Sequence, residues 1–186
     1  MPVVLETPRL LLRPLRLEDC DRLVDELNDM AIARNTARIP HPYHRSDALE
    51  FLDFAMGAVP RSRIAGVEEK AVPGHLIGVI SYEWNEASSD AELGYWYAQS
   101  AWGRGIGSEA AQAMVNDAFA SNGHDRLVAC FHNDNPASAR ILAKTGFEVV
   151  GACSSFSKAQ GCEVPVTNTA LSRARWLTLP QNTLAT

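Results

Sequence analysis

A chain of 186 residues with 46% hydrophobic content is long enough to bury a sizeable core as one domain. Its formal net charge of -5 excludes a protein that coats nucleic acid, because no broad basic surface is left to neutralise phosphates. No apolar run approaches a membrane span, and no basic stretch followed by an apolar one opens the chain, so a cytoplasmic protein is expected. Cys20, Cys130, Cys153 and Cys162 form no C-x-x-C pair and read as free thiols with no metal or disulfide role.

In chain order, Leu10 to Arg16 reads as a first strand, and Leu17 to Leu27 as a helix with Leu17, Cys20, Leu23, Val24 and Leu27 on one face. Residues 31 to 45 read as a loop carrying Arg34, Arg38 and His41-Pro42-Tyr43-His44. Ser46, with Glu50 as its capping partner, is expected to start a helix through Ala48, Leu49, Leu52 and Ala55. Residues 63 to 69 and 75 to 84 read as strands around a turn at Pro73-Gly74, and Ala91 to Tyr97 has the aromatic content of a third. Ile106, Ala110, Met114 and Ala118 recur every four residues along a helix of about four turns. Leu127 to Phe131 reads as a short strand, and Phe147 to Ser157 and Pro165 to Trp176 as a closing hairpin. The expected domain is 1–176, with 177–186 as a loose tail.

Between the Ala91 to Tyr97 strand and the helix after it stands Trp102-Gly103-Arg104-Gly105-Ile106-Gly107-Ser108. Glycines at a helix start let an anion approach unpaired amides, so this loop reads as a phosphate cradle. A P-loop is excluded, because no pair of glycines four residues apart is followed by Lys-Ser/Thr. The dinucleotide fingerprint is excluded as well, because Ser108 stands where it needs its third glycine. About thirty residues on, His132 to Phe147 contains Asn135-Pro136-Ala137-Ser138 and Lys144-Thr145-Gly146-Phe147. Asn135 is a good helix cap, Pro136 suits the first helical position and Gly146 a left-handed helix end, so these residues also have a purely architectural reading.

Strand, Trp-Gly-Arg-Gly-Ile-Gly, helix, strand, then Asn-x-x-Ser and Lys-Thr-Gly-Phe resembles the GNAT superfamily of N-acetyltransferases. Glu6-Thr7-Pro8-Arg9-Leu10-Leu11-Leu12-Arg13 and Ile39-Pro40-His41-Pro42-Tyr43 are similar to the ribosomal-protein (RimJ/RimL) type within it. The resemblance spans roughly residues 5 to 176. It implies an α/β (α+β) GNAT fold, a mixed and mostly antiparallel central sheet of about seven strands flanked by about four helices. It implies acetyl-CoA as cosubstrate and no metal. It carries cofactor binding to Tyr97 and Ala98 on the strand, to Trp102, Gly103, Arg104, Gly105, Ile106, Gly107 and Ser108 in the cradle, and to Asn135 and Ser138 at the second helix start. Trp102 departs from the usual Gln or Arg, which leaves the amides in place and changes any side-chain contact. Arg104, Arg140 and Lys144 supply local positive charge.

Acetyl transfer needs an amine stripped of its proton and a stabilised leaving thiolate. Glu92 is the candidate base, with Glu83 as its competitor, and either residue can also be an ordinary solvated strand carboxylate. By resemblance Ser138 is the candidate acid, against proton transfer by water alone. Tyr43 and His44 are candidate acceptor contacts, by resemblance, against a merely packed loop. His41 and His44 lack partners for a metal. His75, His124 and His132 read as surface or turn residues.

The chain is therefore expected to transfer acetyl directly, in a ternary complex, to a primary amine, first of all a protein N-terminal amine. The alternatives are a small amine such as an amino acid, polyamine or aminoglycoside, or a non-catalytic CoA-binding module. No direct nucleic-acid or membrane partner is expected, and the assembly is a monomer or homodimer.

Overall fold

Alternating apolar residues build the strands, and the alternation gives the sheet two buried faces. The computed structural model describes residues 4–57 and 61–180. Its eight strands are β1 (Leu5–Glu6), β2 (Leu10–Arg13), β3 (Arg63–Glu69), β4 (Leu76–Asn85), β5 (Asp90–Tyr97), β6 (Arg126–His132), β7 (Glu148–Ser157) and β8 (Cys162–Ser172). They form one sheet in the order β1-β2-β3-β4-β5-β6-β8-β7, with β5–β6 parallel and every other neighbouring pair antiparallel. Six helices flank it among the described residues: α1 (Cys20–Leu27), α2 (Met30–Ala33), α3 (Arg45–Met56), α4 (Ile106–Ala120), α5 (Pro136–Lys144) and α6 (Arg173–Thr178).

The mixed α/β GNAT architecture is thus the one expected, with one more strand and two more helices. β1 is only two residues long, and α2 and α6 are four and six, too short for a periodic pattern to show. The first helix is split: Leu17–Asp19 is a 3-10 turn, and Leu17 is 58% exposed instead of joining the apolar face. The start of α3 is also shifted. Its cap is His44, whose amide donates to Asp47 Oδ2 at 2.7 Å, so Ser46 lies inside the helix. At the other end β8 begins at Cys162 and stops at Ser172, where the Ser172 side chain caps α6. α6 and Leu179, which packs against the main core, carry ordered structure past residue 176, and residues 181–186 lie outside the described residues.

One core face joins Ala91, Leu93 and Tyr97 of β5 to Ile106, Ala110, Met114 and Ala118 of α4. The opposite face joins Trp96 to Leu23, Leu27 and Leu52 of α1 and α3. α4 is also tied to the sheet by a buried polar node. Arg63 Nε donates to Asp117 Oδ2 at 2.5 Å and Tyr82 Oη donates to the same oxygen at 2.6 Å, with Asp117 5% exposed. Nearby His124, expected as a surface or turn residue, is fully buried, edge-on to Tyr82 and beside Trp84, with Nε2 2.8 Å from the Arg61 carbonyl.

Removing one partner of such a node leaves the others desolvated and unpaired. Asp117→Ala is therefore expected to cost about 3–5 kcal/mol in a urea unfolding titration. A loss under about 1 kcal/mol, the range of an exposed pair, would contradict the buried-node account.

Candidate active site

The strand before the cradle has two edges with different fates. Ala98 N donates to Ile77 O of β4 at 2.9 Å. Bonded and unbonded positions alternate in an antiparallel pair, so Trp96 and Gly94 also bond to β4, while Leu93, Tyr95 and Tyr97 turn their backbone groups towards β6. The recorded pairing with β6 comprises only Ala91–Leu127 and Glu92–Val128. Beyond it the strands part, and the backbone of Tyr95 and Tyr97 faces a cleft. Ala98 is thus placed differently from its expectation: its amide is spent inside the sheet and its side chain is buried. Tyr95 takes its place on the open edge, a position that the alternation Tyr95-Trp96-Tyr97 made legible once the bonded edge was known.

On one side of the parting strands is a groove of about 500 Å³, lined by Tyr97, Trp102, Gly103, Gly105, Gly107, Ser108, Asn135, Ser138, Arg140 and Lys144 among others. Gly103 and Gly105 hold φ of 71° and 79°, a left-handed backbone that favours glycine. The amides of Ile106, Gly107 and Ser108 are the unpaired first donors of α4. A Cβ on Gly107 would lie 2.7 Å from Ile141 Cδ1 and 3.1 Å from Tyr97 Cε2, so a side chain there would crowd the groove wall. The Tyr97 hydroxyl is buried without a partner and the Trp102 indole donates to Tyr97 O at 2.8 Å. Open amides, a spare buried hydroxyl and two basic residues fit a long ligand carrying phosphates.

Two cradle residues contribute backbone alone. Ile106 has its side chain wholly in the core. Arg104 turns away, its two terminal guanidinium nitrogens donating to Glu69 at 2.9 and 2.5 Å. That bond holds the Glu69 carboxyl below its ordinary range. The loop is further fixed by Arg9, whose Nη1 donates to Arg104 O at 2.9 Å and whose Nε donates to Glu109 at 2.7 Å. Partial burial pushes the Glu109 carboxyl up, but bonds from Thr7 and Arg9 outweigh it and hold the carboxyl low.

Asn135 caps α5 by accepting from Ser138 N at 3.1 Å. Ser138 Oγ lies 2.8 Å from Tyr95 Oη. Burial pushes the Tyr95 hydroxyl up to about 12, against the opposing effect of the Ser138 bond. The pair is therefore protonated at neutral pH and carries a hydroxyl proton to the groove edge.

On the other side of the strands is a cavity of about 390 Å³. Leu93, Gly94, Tyr95, Trp96 and Cys130 line both spaces, so the two meet where β5 and β6 part. The cavity floor carries Glu83 and Glu92, which stand opposite each other in the β4–β5 register, and Asp47 and Glu50 of α3 line its wall. Glu83 is occupied: Arg38 holds both its oxygens, at 3.0 and 2.5 Å. Glu92 is exposed into the cavity. Tyr43 is 4% exposed and lines the cavity, whereas His44 lines neither space and serves as the helix cap. His132, expected as a surface or turn residue, is 5% exposed and also lines the cavity. No sequence signal distinguishes it from a turn residue, because burial is set by tertiary packing and not by its sequence neighbours. Among the described residues no His, Cys, Asp and Glu group of three or more is arranged to hold a metal, and no helix is long and apolar enough to cross a membrane.

The chain is 28% identical over 160 residues to the uncharacterized N-acetyltransferase p20 of Bacillus licheniformis, covering 84% of this chain and 89% of that protein. It is 39% identical over 77 residues to the ribosomal-protein-serine acetyltransferase of Escherichia coli, covering 41% and 43% of the two chains. Its fold superimposes on spermidine N-acetyltransferase from Vibrio cholerae, solved in complex with CoA and spermine, with a TM-score of 0.77 at 18% identity over 92% of this chain and 100% of that one. Residues 9–148 match the acetyltransferase (GNAT) domain, and the chain belongs to the GNAT family of N-acetyltransferases, which take their acetyl group from acetyl-CoA.

Proposed function

We propose that the protein is a RimJ/RimL-like enzyme that transfers acetyl from acetyl-CoA directly to a protein N-terminal amine in a ternary complex. The observation that carries this is the meeting of an amide-lined groove and an acidic, open cavity at the gap between β5 and β6. The partial likeness to a ribosomal-protein-serine acetyltransferase favours a protein terminus over a free small amine. Free thiols at all four cysteines suit a reducing, cytoplasmic setting.

In this proposal the amides of Arg104 to Ser108, with Arg140 and Lys144, hold the pyrophosphate, and the Asn135 helix start borders the pantetheine. Acetyl-CoA supplies an activated thioester. The inward-facing Tyr95 and Tyr97 backbone orients it, and Ser138, bonded to Tyr95, gives a proton to the departing sulfur. Glu92 receives the acceptor ammonium and begins its deprotonation through water, while Tyr43 shapes the cavity. Without that step an amine of pKa near 8 to 10 is largely protonated at neutral pH.

Gly107→Val should weaken acetyl-CoA binding at least about tenfold in calorimetry, a loss of about 1.4 kcal/mol; unchanged affinity would contradict the cradle assignment. With serine-initiated peptides as acceptors, purified protein should release CoA thiol. Glu92→Gln should slow that release by about 100-fold, with acetyl-CoA affinity kept. Thiol release only with spermidine or other free small amines would overturn the N-terminal assignment. Tight acetyl-CoA binding with no release for any amine would point to a CoA-binding module.

A further inference from the structure

Glu83 of β4 and Glu92 of β5 are directly opposite in the sheet register and line the same cavity. Side chains so placed have Cβ atoms about 4.5–5.5 Å apart, and like charges there repel. A cation beside them relieves the repulsion, and the chain supplies one itself. Arg38, in the loop before α3, donates from Nη1 and Nη2 to the two Glu83 oxygens at 3.0 and 2.5 Å, while Ser81 Oγ donates to Glu83 Oε1 at 3.2 Å. The Glu83 bonds, with a smaller contribution from the Glu92 charge, outweigh partial burial and raise the guanidinium pKa above its ordinary value.

The loop that carries this cation is fixed just ahead of it by the β7–β8 hairpin. Gln160 Nε2 donates to Arg34 O at 3.0 Å, Ser157 Oγ to Thr36 O at 3.2 Å and Lys158 N to Ala37 O at 3.0 Å. The guanidinium is thus tethered beside Glu83, and a tethered group competes as though present at about millimolar concentration. Its planar fork also matches a carboxylate better than the point charge of an ammonium does. The Arg38 side chain is 72% exposed, and so exposed a pair adds little to fold stability. Its effect falls on what enters the cavity.

Resting on the acetyl-transfer proposal above, we propose that Arg38 sets acceptor specificity. It occupies Glu83 as a built-in counter-ion, so the cavity takes an acceptor with one ammonium at Glu92 and disfavours diamines and polyamines, whose second ammonium has to displace it. With Arg38 in place, that second ammonium meets a like charge where a carboxylate would otherwise receive it. Lys158, which lines the same cavity, adds to the repulsion. Asp47 and Glu50 on the α3 wall leave the cavity acidic, so the selection comes from Glu83 being taken and not from a lack of carboxylates.

The experiment compares the native protein, Arg38→Gln and the Arg38→Gln/Glu83→Gln double variant. Spermidine and propylamine binding are measured by calorimetry at low ionic strength, and acetyl transfer to spermidine and to a serine-initiated peptide by thiol release. Arg38→Gln should keep its melting temperature and bind spermidine at least about tenfold more tightly. Its ratio of kcat/KM for spermidine over peptide should rise by a similar factor. Adding Glu83→Gln should remove the gain, because the freed carboxylate is what receives the second ammonium, and propylamine, with one ammonium, should gain clearly less. Unchanged spermidine affinity in Arg38→Gln, a gain that survives Glu83→Gln, or an equal gain for propylamine would overturn the proposal. If Arg38→Gln fails to fold, Arg38→Ala takes its place. If the native protein turns over no amine, the function proposed above fails, and the binding comparison still decides for or against Arg38 as the counter-ion that excludes a second ammonium.

Discussion

The parting of β5 from β6 is the constraint on which the rest of the site depends. Parallel pairing lasts for Ala91–Leu127 and Glu92–Val128 and then ends. A sheet interior that stops pairing leaves backbone donors and acceptors without partners, which is costly unless something else meets them. Here the Trp102 indole meets the Tyr97 carbonyl, and the remaining groups of Tyr95 and Tyr97 face the cleft. The same opening lies between two cavities that share Leu93, Gly94, Tyr95, Trp96 and Cys130 of the strands, and in the proposed reaction the cosubstrate on the α4 side and the amine on the α3 side meet there.

Charge is distributed in keeping with this geometry. The strongest basic groups near the cradle are neutralised by protein carboxylates: Arg104 by Glu69 and Arg9 by Glu109. They hold the loop in place more than they attract an anion. In the proposed site, phosphate affinity is left to amides at the α4 start, with Arg140 and Lys144 alongside. The facing cavity carries four carboxylates, Asp47, Glu50, Glu83 and Glu92, partly answered by Arg38 and Lys158. An acidic cavity draws in cations, which suits the ammonium that the proposed reaction brings there.

Local patterns carried much of this in the sequence. The four-residue recurrence from Ile106 to Ala118 and the glycines ahead of it placed α4 and its cradle, because both follow from backbone preferences that need no distant partner. Asn135 as a cap and the course of β3 to β5 were legible for the same reason. What escaped depends on residues far apart in the chain. Arg104 reads as a phosphate ligand until Glu69, thirty-five positions away, is seen to hold it. Ala98 reads as an open amide until Ile77 is seen to accept its bond. His124 and His132 read as surface or turn residues because burial is set by the tertiary packing around them and leaves no mark on neighbouring residues. The start of α3 shifted because Asp47, a better capping partner for His44 than Glu50 is for Ser46, settled a local competition.

The most direct measurement is amide hydrogen exchange, residue by residue, with and without saturating acetyl-CoA. Bound cosubstrate should slow exchange at Tyr95 and Tyr97, on the open edge of β5, together with Ile106, Gly107 and Ser108 at the α4 start, and leave Ala98, already bonded to Ile77, unchanged. Protection confined to other segments, or none at the open edge of β5, would contradict a cosubstrate seated between the parting strands.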